Sequence, residues 1–249
     1  MASGKSESGV RDGVWDLLRG VARPDSRFHY DFAHMHPDFE GSELAAERLL
    51  KEFTRHPIRL AFSAPDSALR ETREQLLRLG ARLVVSTYCM RRGFRLLDPA
   101  RIAPADYAFA ATLDGLDRFG VPVSIEDIAA LGRMDLLVTG AAAVAPNGVR
   151  FGRSYQYFDI EWGVLAELGV ATERTPVAFM VHDVQLTGGR IASHPREAVA
   201  DLIATPSQLV RITDRPARPR GVDWASLEPA EVELMPTLIE LQRARGMRA

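Results

Sequence analysis

The segment from Val138 to Trp162, VTGAAAVAPNGVRFGRSYQYFDIEW, gathers the residue types that handle a charged ligand. An apolar run empties into a turn of small residues, and Asn147-Gly148 marks a hairpin. Arg150 and Arg153 then place positive charge around Gly152, and Asp159 opens a helix. A loop at the carboxyl end of a buried parallel strand, running into a helix N-terminus, is where α/β sheets bind anions. Backbone N–H groups and the helix dipole both point at the ligand there. Tyr155, Tyr157, Phe158 and Trp162 add aromatic surface that could stack on a flat ring or fill the core; Tyr157 suits the first role and Trp162 the second.

Other candidates are more scattered. His182-Asp183 follows a predicted buried strand, at the rim where sites form, and a structural role for His182 outweighs a catalytic one. In His194-Pro195-Arg196-Glu197, either His194 or Glu197 could act as a general base, Glu197 if burial raises its pKa. His29, His34 and His36, with Asp31 among them, admit two readings. They are metal ligands, His-x-His placing two imidazoles on one face of a strand, or polar members of an exposed loop or cleft. Cys89, the one cysteine, lacks the electropositive helix start that activates a thiol and reads as a small buried hydrophobe.

The elements that must position these residues follow from apolar spacing. Val10, Val14, Leu17, Leu18 and Val21 predict a helix that ends at Pro24, and 27–39 is an extended aromatic stretch. Ser42 is expected to cap a second helix running to about Thr54. Strands are predicted over 58–62, 82–87, 134–139, 177–181 and 201–204, with a small hairpin of 95–97 against the region of Met90. Helices are predicted over 67–79, stopped by Gly80, over 125–131, and over 159–168, stopped by Gly169. Strands alternating with helices imply a three-layer α/β fold with an open, mostly parallel sheet. The organisation expected is a flexible 1–9, an α/β domain over 10–212, a Pro/Arg-rich linker over 213–223, and an appended C-terminal helix over 224–249 capped by Ser226.

Composition narrows the classes of function. The 249 residues carry 31 Lys+Arg against 33 Asp+Glu, a net charge of −2, which argues against duplex nucleic acid or an anionic membrane as partner. A single cysteine excludes a disulfide framework and a cysteine-rich zinc site. With no leader-like start and no apolar run of spanning length, the expectation is a cytoplasmic protein, monomer or homodimer.

On these residues the chain resembles the 5-formyltetrahydrofolate cyclo-ligase (5,10-methenyltetrahydrofolate synthetase) family, and within it the divergent branch of methenyltetrahydrofolate synthetase domain-containing proteins. The resemblance is carried by the Asn-Gly, Arg150 and the Gly152-to-Asp159 loop. Further support comes from Val10-Arg11 through Trp15-Asp16, Pro37 to Gly41 (PDFEG), Pro65-Asp66, Thr175 to Gln185 and Asp201 to Pro206. It implies a sheet of the NagB/RpiA/CoA-transferase-like kind and an ATP- and Mg²⁺-dependent closure of 5-formyltetrahydrofolate to 5,10-methenyltetrahydrofolate, with a reduced folate as small-molecule ligand. It implies phosphate contacts from Arg11, Arg150, Gly152, Arg153, Ser154, Gln156 and Phe158, and a magnesium ion at Asp159. The pterin side would meet Phe39, Glu40, Tyr157 and Gln185, with Arg150, Tyr157, His194 and Glu197 nearest the chemistry. The chain departs from the family where Ser154 and Gln156 replace glycines, where Glu7 stands in place of a lysine, and at His194 to Glu197. Those departures leave two alternatives open beside the cyclo-ligase: an ATP-independent hydrolase or isomerase of a folate-like amide, and a non-catalytic folate-binding protein.

Overall fold

The runs LAFS, LLVT and VAFM are buried at every position, the pattern of strands covered on both faces rather than one. They form the middle of the sheet in a computed structural model that describes residues 7–151 and 157–246, with side chains from 12 to 150 and from 157 to 246. In chain order, α1 (Glu7–Leu18) precedes β1 (Ala22–Arg23) and β2 (Asp38–Phe39), which pair antiparallel. There follow α2 (Ser42–Lys51), β3 (Leu60–Ser63), α3 (Arg70–Arg78), β4 (Arg82–Ser86), β5 (Phe94–Leu97), α4 (Tyr107–Ala110), α5 (Leu113–Phe119), β6 (Val121–Val123), α6 (Ile125–Leu131) and β7 (Leu136–Thr139). The second half holds the β8 (Ala143–Val144) and β9 (Arg150–Phe151) hairpin, α7 (Tyr157–Glu167), β10 (Val177–Met180), β11 (Leu202–Ala204), β12 (Leu209–Arg211), α8 (Pro229–Glu233) and α9 (Pro236–Ala244).

Eight strands make one sheet in the order β12-β11-β10-β7-β3-β4-β5-β6. The five from β11 to β4 are parallel, and the edge pairings β12–β11, β5–β4 and β6–β5 are antiparallel. Helices cover both faces. Arg73 of α3 reaches Ser63 on one face, while the ring of Phe158 on α7 meets Phe62 and Phe179 on the other. The expected α/β class and mostly parallel sheet are therefore present. Among the described residues no helix is long and apolar enough to cross a membrane.

Local expectations differ from the structure in three places. Residues 94–97 pair with β4, Leu83 opposite Leu97, instead of with the Met90 region. Met90 is occupied in a tight turn in which Cys89 and Met90 both have left-handed backbones (φ 52 and 54). Ser42 is the first helical residue of α2, behind Gly41 at φ 76, and its hydroxyl caps nothing. Ser226 closes a short 3-10 turn, while the helix beyond it starts at Pro229, the favoured first position for a residue with no N–H to lose.

The Pro/Arg-rich stretch runs against α7. Arg215 and Arg218 both pair with Asp201, and Arg218 stacks 5.0 Å from the Trp162 ring, whose Nε1 donates to the Pro219 carbonyl at 2.8 Å. Gly163 makes this approach possible, because a Cβ there would lie 2.8 Å from the Val222 backbone. Gly163→Ala is expected to destabilise the fold by about 1–3 kcal/mol through overpacking. Gly188→Ala, where a Cβ meets nothing within 4 Å, should leave the urea midpoint within error of wild type.

Candidate functional site

β3 continues to β4 on one side and is flanked by β7 on the other, so the strand order reverses between β3 and β7. Outside the carboxyl ends of strands at such a reversal, successive loops diverge and leave a crevice. Here Ala64, Pro65 and Asp66 leave β3, Thr139 ends β7 with Ala142 just beyond, and Tyr88 and Cys89 follow β4. They line a cleft of ≈ 80 Å³, enclosed above by Trp15 of α1 and by the stretch from Phe32 to His36. At on the order of 10–15 Å³ per water, the space suits one flat ring more than a nucleotide.

The loops forming the cleft are held from behind by buried polar side chains. Arg73 donates to the carbonyls of Ala64 (2.8 Å), Asp66 (3.1 Å) and Ala111 (2.8 Å). Full burial pulls its pKa down to about 10, still protonated at neutral pH. Gln185 donates through Nε2 to the carbonyls of Ala141 (2.6 Å) and Ala142 (3.2 Å), while its Oε1 accepts the His182 N–H at 2.7 Å. Gln185 thus shapes the loop after β7 and does not itself line the cleft.

The remaining wall is the first turn of α7. At roughly 100° per residue, Tyr157, Phe158 and Glu161 share one side of the helix and Asp159 lies on the other. The cleft is lined by those three. Glu161 is 1% exposed, and neither its Oε2 nor the nearby Ser86 Oγ completes a hydrogen bond. Desolvation pushes the Glu161 pKa up to about 8; the carboxylates of Asp66 and Asp159 add to the rise, and Ser86 and Arg150 oppose it. At neutral pH this residue is a neutral carboxylic acid facing an aromatic cleft. Sequence reasoning passed over it, although its position four residues after Tyr157 was a usable signal.

Asp159 instead meets Arg150, brought back by the β8–β9 hairpin into a buried ion pair. The guanidinium lies 5.1 Å from the Phe158 ring and 5.5 Å from that of Phe179, and Asp159 Oδ1 also accepts the Ala198 N–H at 2.8 Å. Arg150 Nη1 is buried without a partner, a donor that an anionic oxygen could satisfy. The Arg150 and Ala198 contacts both fall on Oδ1 of the Asp159 carboxylate.

The other expected residues fall in several places. Phe39 is buried in the core, its ring 5.9 Å from that of His182, and Glu40 is exposed with its N–H bonded to the Val21 carbonyl. Glu197 is half-buried, its pKa raised mainly by that burial, and accepts the N–H of exposed His194 at 2.8 Å. It lies within electrostatic reach of Arg150 and Asp159, and neither Glu197 nor His194 lines the cleft. The His182 ring accepts the Val184 N–H at 3.2 Å as a local cap. His34 pairs with Asp31 at 2.7 Å and lines the cleft with His36, whereas His29 is exposed elsewhere. Among the described residues no three His, Cys, Asp or Glu converge as a metal site. Cys89, read as a buried hydrophobe, is only half-buried and borders the cleft. Gly152, Arg153, Ser154 and Gln156 lie outside the described residues, as does the side chain of Arg11.

No protein-family model matches the chain. It is similar to proteins named methenyltetrahydrofolate synthase domain-containing protein. The human one is 29% identical over 259 residues, covering 100% of this chain and 64% of that protein. The mouse one is 28% identical over 244 residues, covering 96% and 64%. The chain thus spans a little under two thirds of these relatives. A solved structure of the Aquifex aeolicus 5,10-methenyltetrahydrofolate synthetase matches 85% of this chain and 95% of its own, at 16% identity and a TM-score of 0.48.

Proposed function

We propose that this chain, a relative of the methenyltetrahydrofolate synthase domain-containing proteins, holds the ring of a reduced folate in the cleft between β3 and β7 and closes 5-formyltetrahydrofolate to 5,10-methenyltetrahydrofolate. The observation that carries the reading is the cleft itself. It lies at the reversal of strand order, is sized for one flat ring, and is walled by Trp15, Phe32, Tyr88 and Tyr157. Rings facing a heterocycle supply stacking and exclude water from the reacting carbon, and Tyr157 adds a polar handle at the mouth of α7.

The reaction joins N10 to the formyl carbon and releases the formyl oxygen. ATP, the co-substrate of the cyclo-ligases this chain resembles, would make that oxygen a phosphate leaving group. Arg150 Nη1, a buried donor sharing one guanidinium with the Asp159 pair, is assigned to receive negative charge from it. Arg11, Arg153 and the Gly152 backbone complete the proposed phosphate contacts. Asp159, the carboxylate the resemblance gives to magnesium, also holds the Arg150 pair through Oδ1, and no step here is routed through the metal.

The test mixes purified chain with 5-formyltetrahydrofolate, with and without Mg-ATP, following methenyltetrahydrofolate absorbance alongside calorimetric binding. ATP-dependent absorbance growth is the expected result. Consumption of 5-formyltetrahydrofolate without ATP would move the reading to a hydrolase or isomerase. Binding without conversion would leave a folate-binding protein, and absence of folate binding would overturn the assignment altogether.

A further inference from the structure

We propose that Glu161 is a specificity-determining residue of the cleft, selecting flat heterocycles that present an N–H edge, a 2-amino-4-oxopyrimidine or cyclic amidine, over rings of the same shape without one. This rests on the reading that the cleft receives a folate-type ring.

Three observations converge. Glu161 is a fully buried carboxyl whose Oε2 has no hydrogen-bond partner, on the side of α7 that lines the cleft. The neighbouring Ser86 Oγ, at the carboxyl end of β4, is equally buried and is the polar group that most favours the Glu161 carboxylate. The rest of the lining sets aromatic and apolar side chains, Phe32, Met35, Phe158 and Ala142, beside the polar Asp66 and Thr139. An unsatisfied carboxyl is costly to bury, and an apolar residue of similar volume would pack there without that cost. The arrangement is relieved if an entering ring brings N–H donors to it.

The pairing is chemically specific. A carboxyl offers two oxygens in one plane, which match two parallel N–H groups on an amino-substituted amidine edge, whether the acid proton stays on oxygen or moves to the ring. A ring lacking the amino group leaves the carboxyl unsatisfied in a dry site, and such sites discriminate strongly against analogues missing a donor. Arg150, which acts electrostatically on Glu161, is held by Asp159 on the other side of the helix and does not compete.

The experiment measures binding of pterin (2-amino-4-hydroxypteridine), its analogue without the 2-amino group, and 5-formyltetrahydrofolate to wild type, Glu161→Gln and Glu161→Leu, by tryptophan fluorescence and calorimetry. Wild type should favour pterin over the deamino analogue by about tenfold to a hundredfold, the range of one hydrogen bond to a charged or acidic group. Glu161→Leu should erase that preference while still binding both rings weakly, and Glu161→Gln should retain part of it. Circular dichroism and melting of each variant establish folding. Equal preference in wild type and Glu161→Leu, or no binding of either pteridine to wild type, overturns the proposal. If pterin is selected through Glu161 but 5-formyltetrahydrofolate does not bind, the inference stands and the folate assignment falls.

Discussion

Between pH 5 and pH 9 the stability advantage of Glu161→Gln over wild type is expected to grow by on the order of 4–5 kcal/mol, because only wild type must ionise a buried carboxyl over that range. The sign follows from the direction of the shift. Desolvation raises the folded-state pKa of Glu161 to about 8 from the ordinary 4.5. The folded protein therefore holds a proton that the unfolded chain has released. The stabilisation is complete below about pH 4.5 and is lost as pH rises towards 8; beyond 8 both states are ionised and the curve flattens. Other shifted groups, Glu71 and Glu197 raised by burial and His182 lowered by it, are common to both proteins and cancel in the difference. Urea unfolding at pH 5, 6, 7, 8 and 9 reads the effect. A difference between the two proteins that stays constant with pH would show that Glu161 is ionised throughout and partnered in solution. Glu161→Leu should exceed wild type in melting temperature even at pH 6, since it removes an unpaired polar group from a dry site.

That carboxyl also marks where the sequence stopped being readable. The parallel strands could be seen because LAFS, LLVT and VAFM admit no polar face, and α3 and α7 because glycines with left-handed backbones, Gly80 and Gly169, end them. A short edge strand such as β12, half-exposed and paired with β11, has no such signature. In α7 the consecutive residues from Phe158 to Leu165 are all buried. An acidic residue inside a helix buried all round has no solvated face to occupy, which singles out Asp159 and Glu161 alike. The motif drew attention to Asp159, but the partner that captures it, Arg150, arrives through a hairpin whose return geometry no local spacing reveals. The PDFEG segment, whose residues look like a ligand loop, gives β2, which pairs with β1 and turns Phe39 into the core. Trp15 and Tyr88, which do border the cleft, come from an ordinary amphipathic helix and a strained turn. They meet only because α1 and the 28–36 stretch fold back over the carboxyl ends of the strands.

Removing one member of the Arg150–Asp159 pair is expected to cost about 3–5 kcal/mol, which for a chain of this size lowers the melting temperature by roughly 10 °C. Both residues are nearly inaccessible, at 7% and 6% exposure, so either single change leaves a buried charge stripped of its ion-pair partner. Arg150→Met leaves the Asp159 carboxylate with the Ala198 N–H, and Asp159→Asn leaves a guanidinium between two phenylalanine rings. Asparagine keeps an acceptor for that N–H, so the second variant isolates the charge. The double variant removes both charges, and methionine can occupy the slot between Phe158 and Phe179. Its loss should therefore fall short of the sum of the singles by about 2 kcal/mol or more, the coupling expected of residues in direct contact. Strictly additive losses in a urea-unfolding cycle would mean that the two residues stabilise the hairpin independently. The pair also ties β9 to the first turn of α7, which carries Tyr157 and Glu161 to the cleft. Because the double variant keeps the packing at that junction but loses the guanidinium, it separates two contributions of Arg150. Retained pterin binding with abolished ATP-dependent closure assigns Arg150 to the anionic end of the reaction. Loss of pterin binding as well assigns it to holding the α7 wall of the cleft in place.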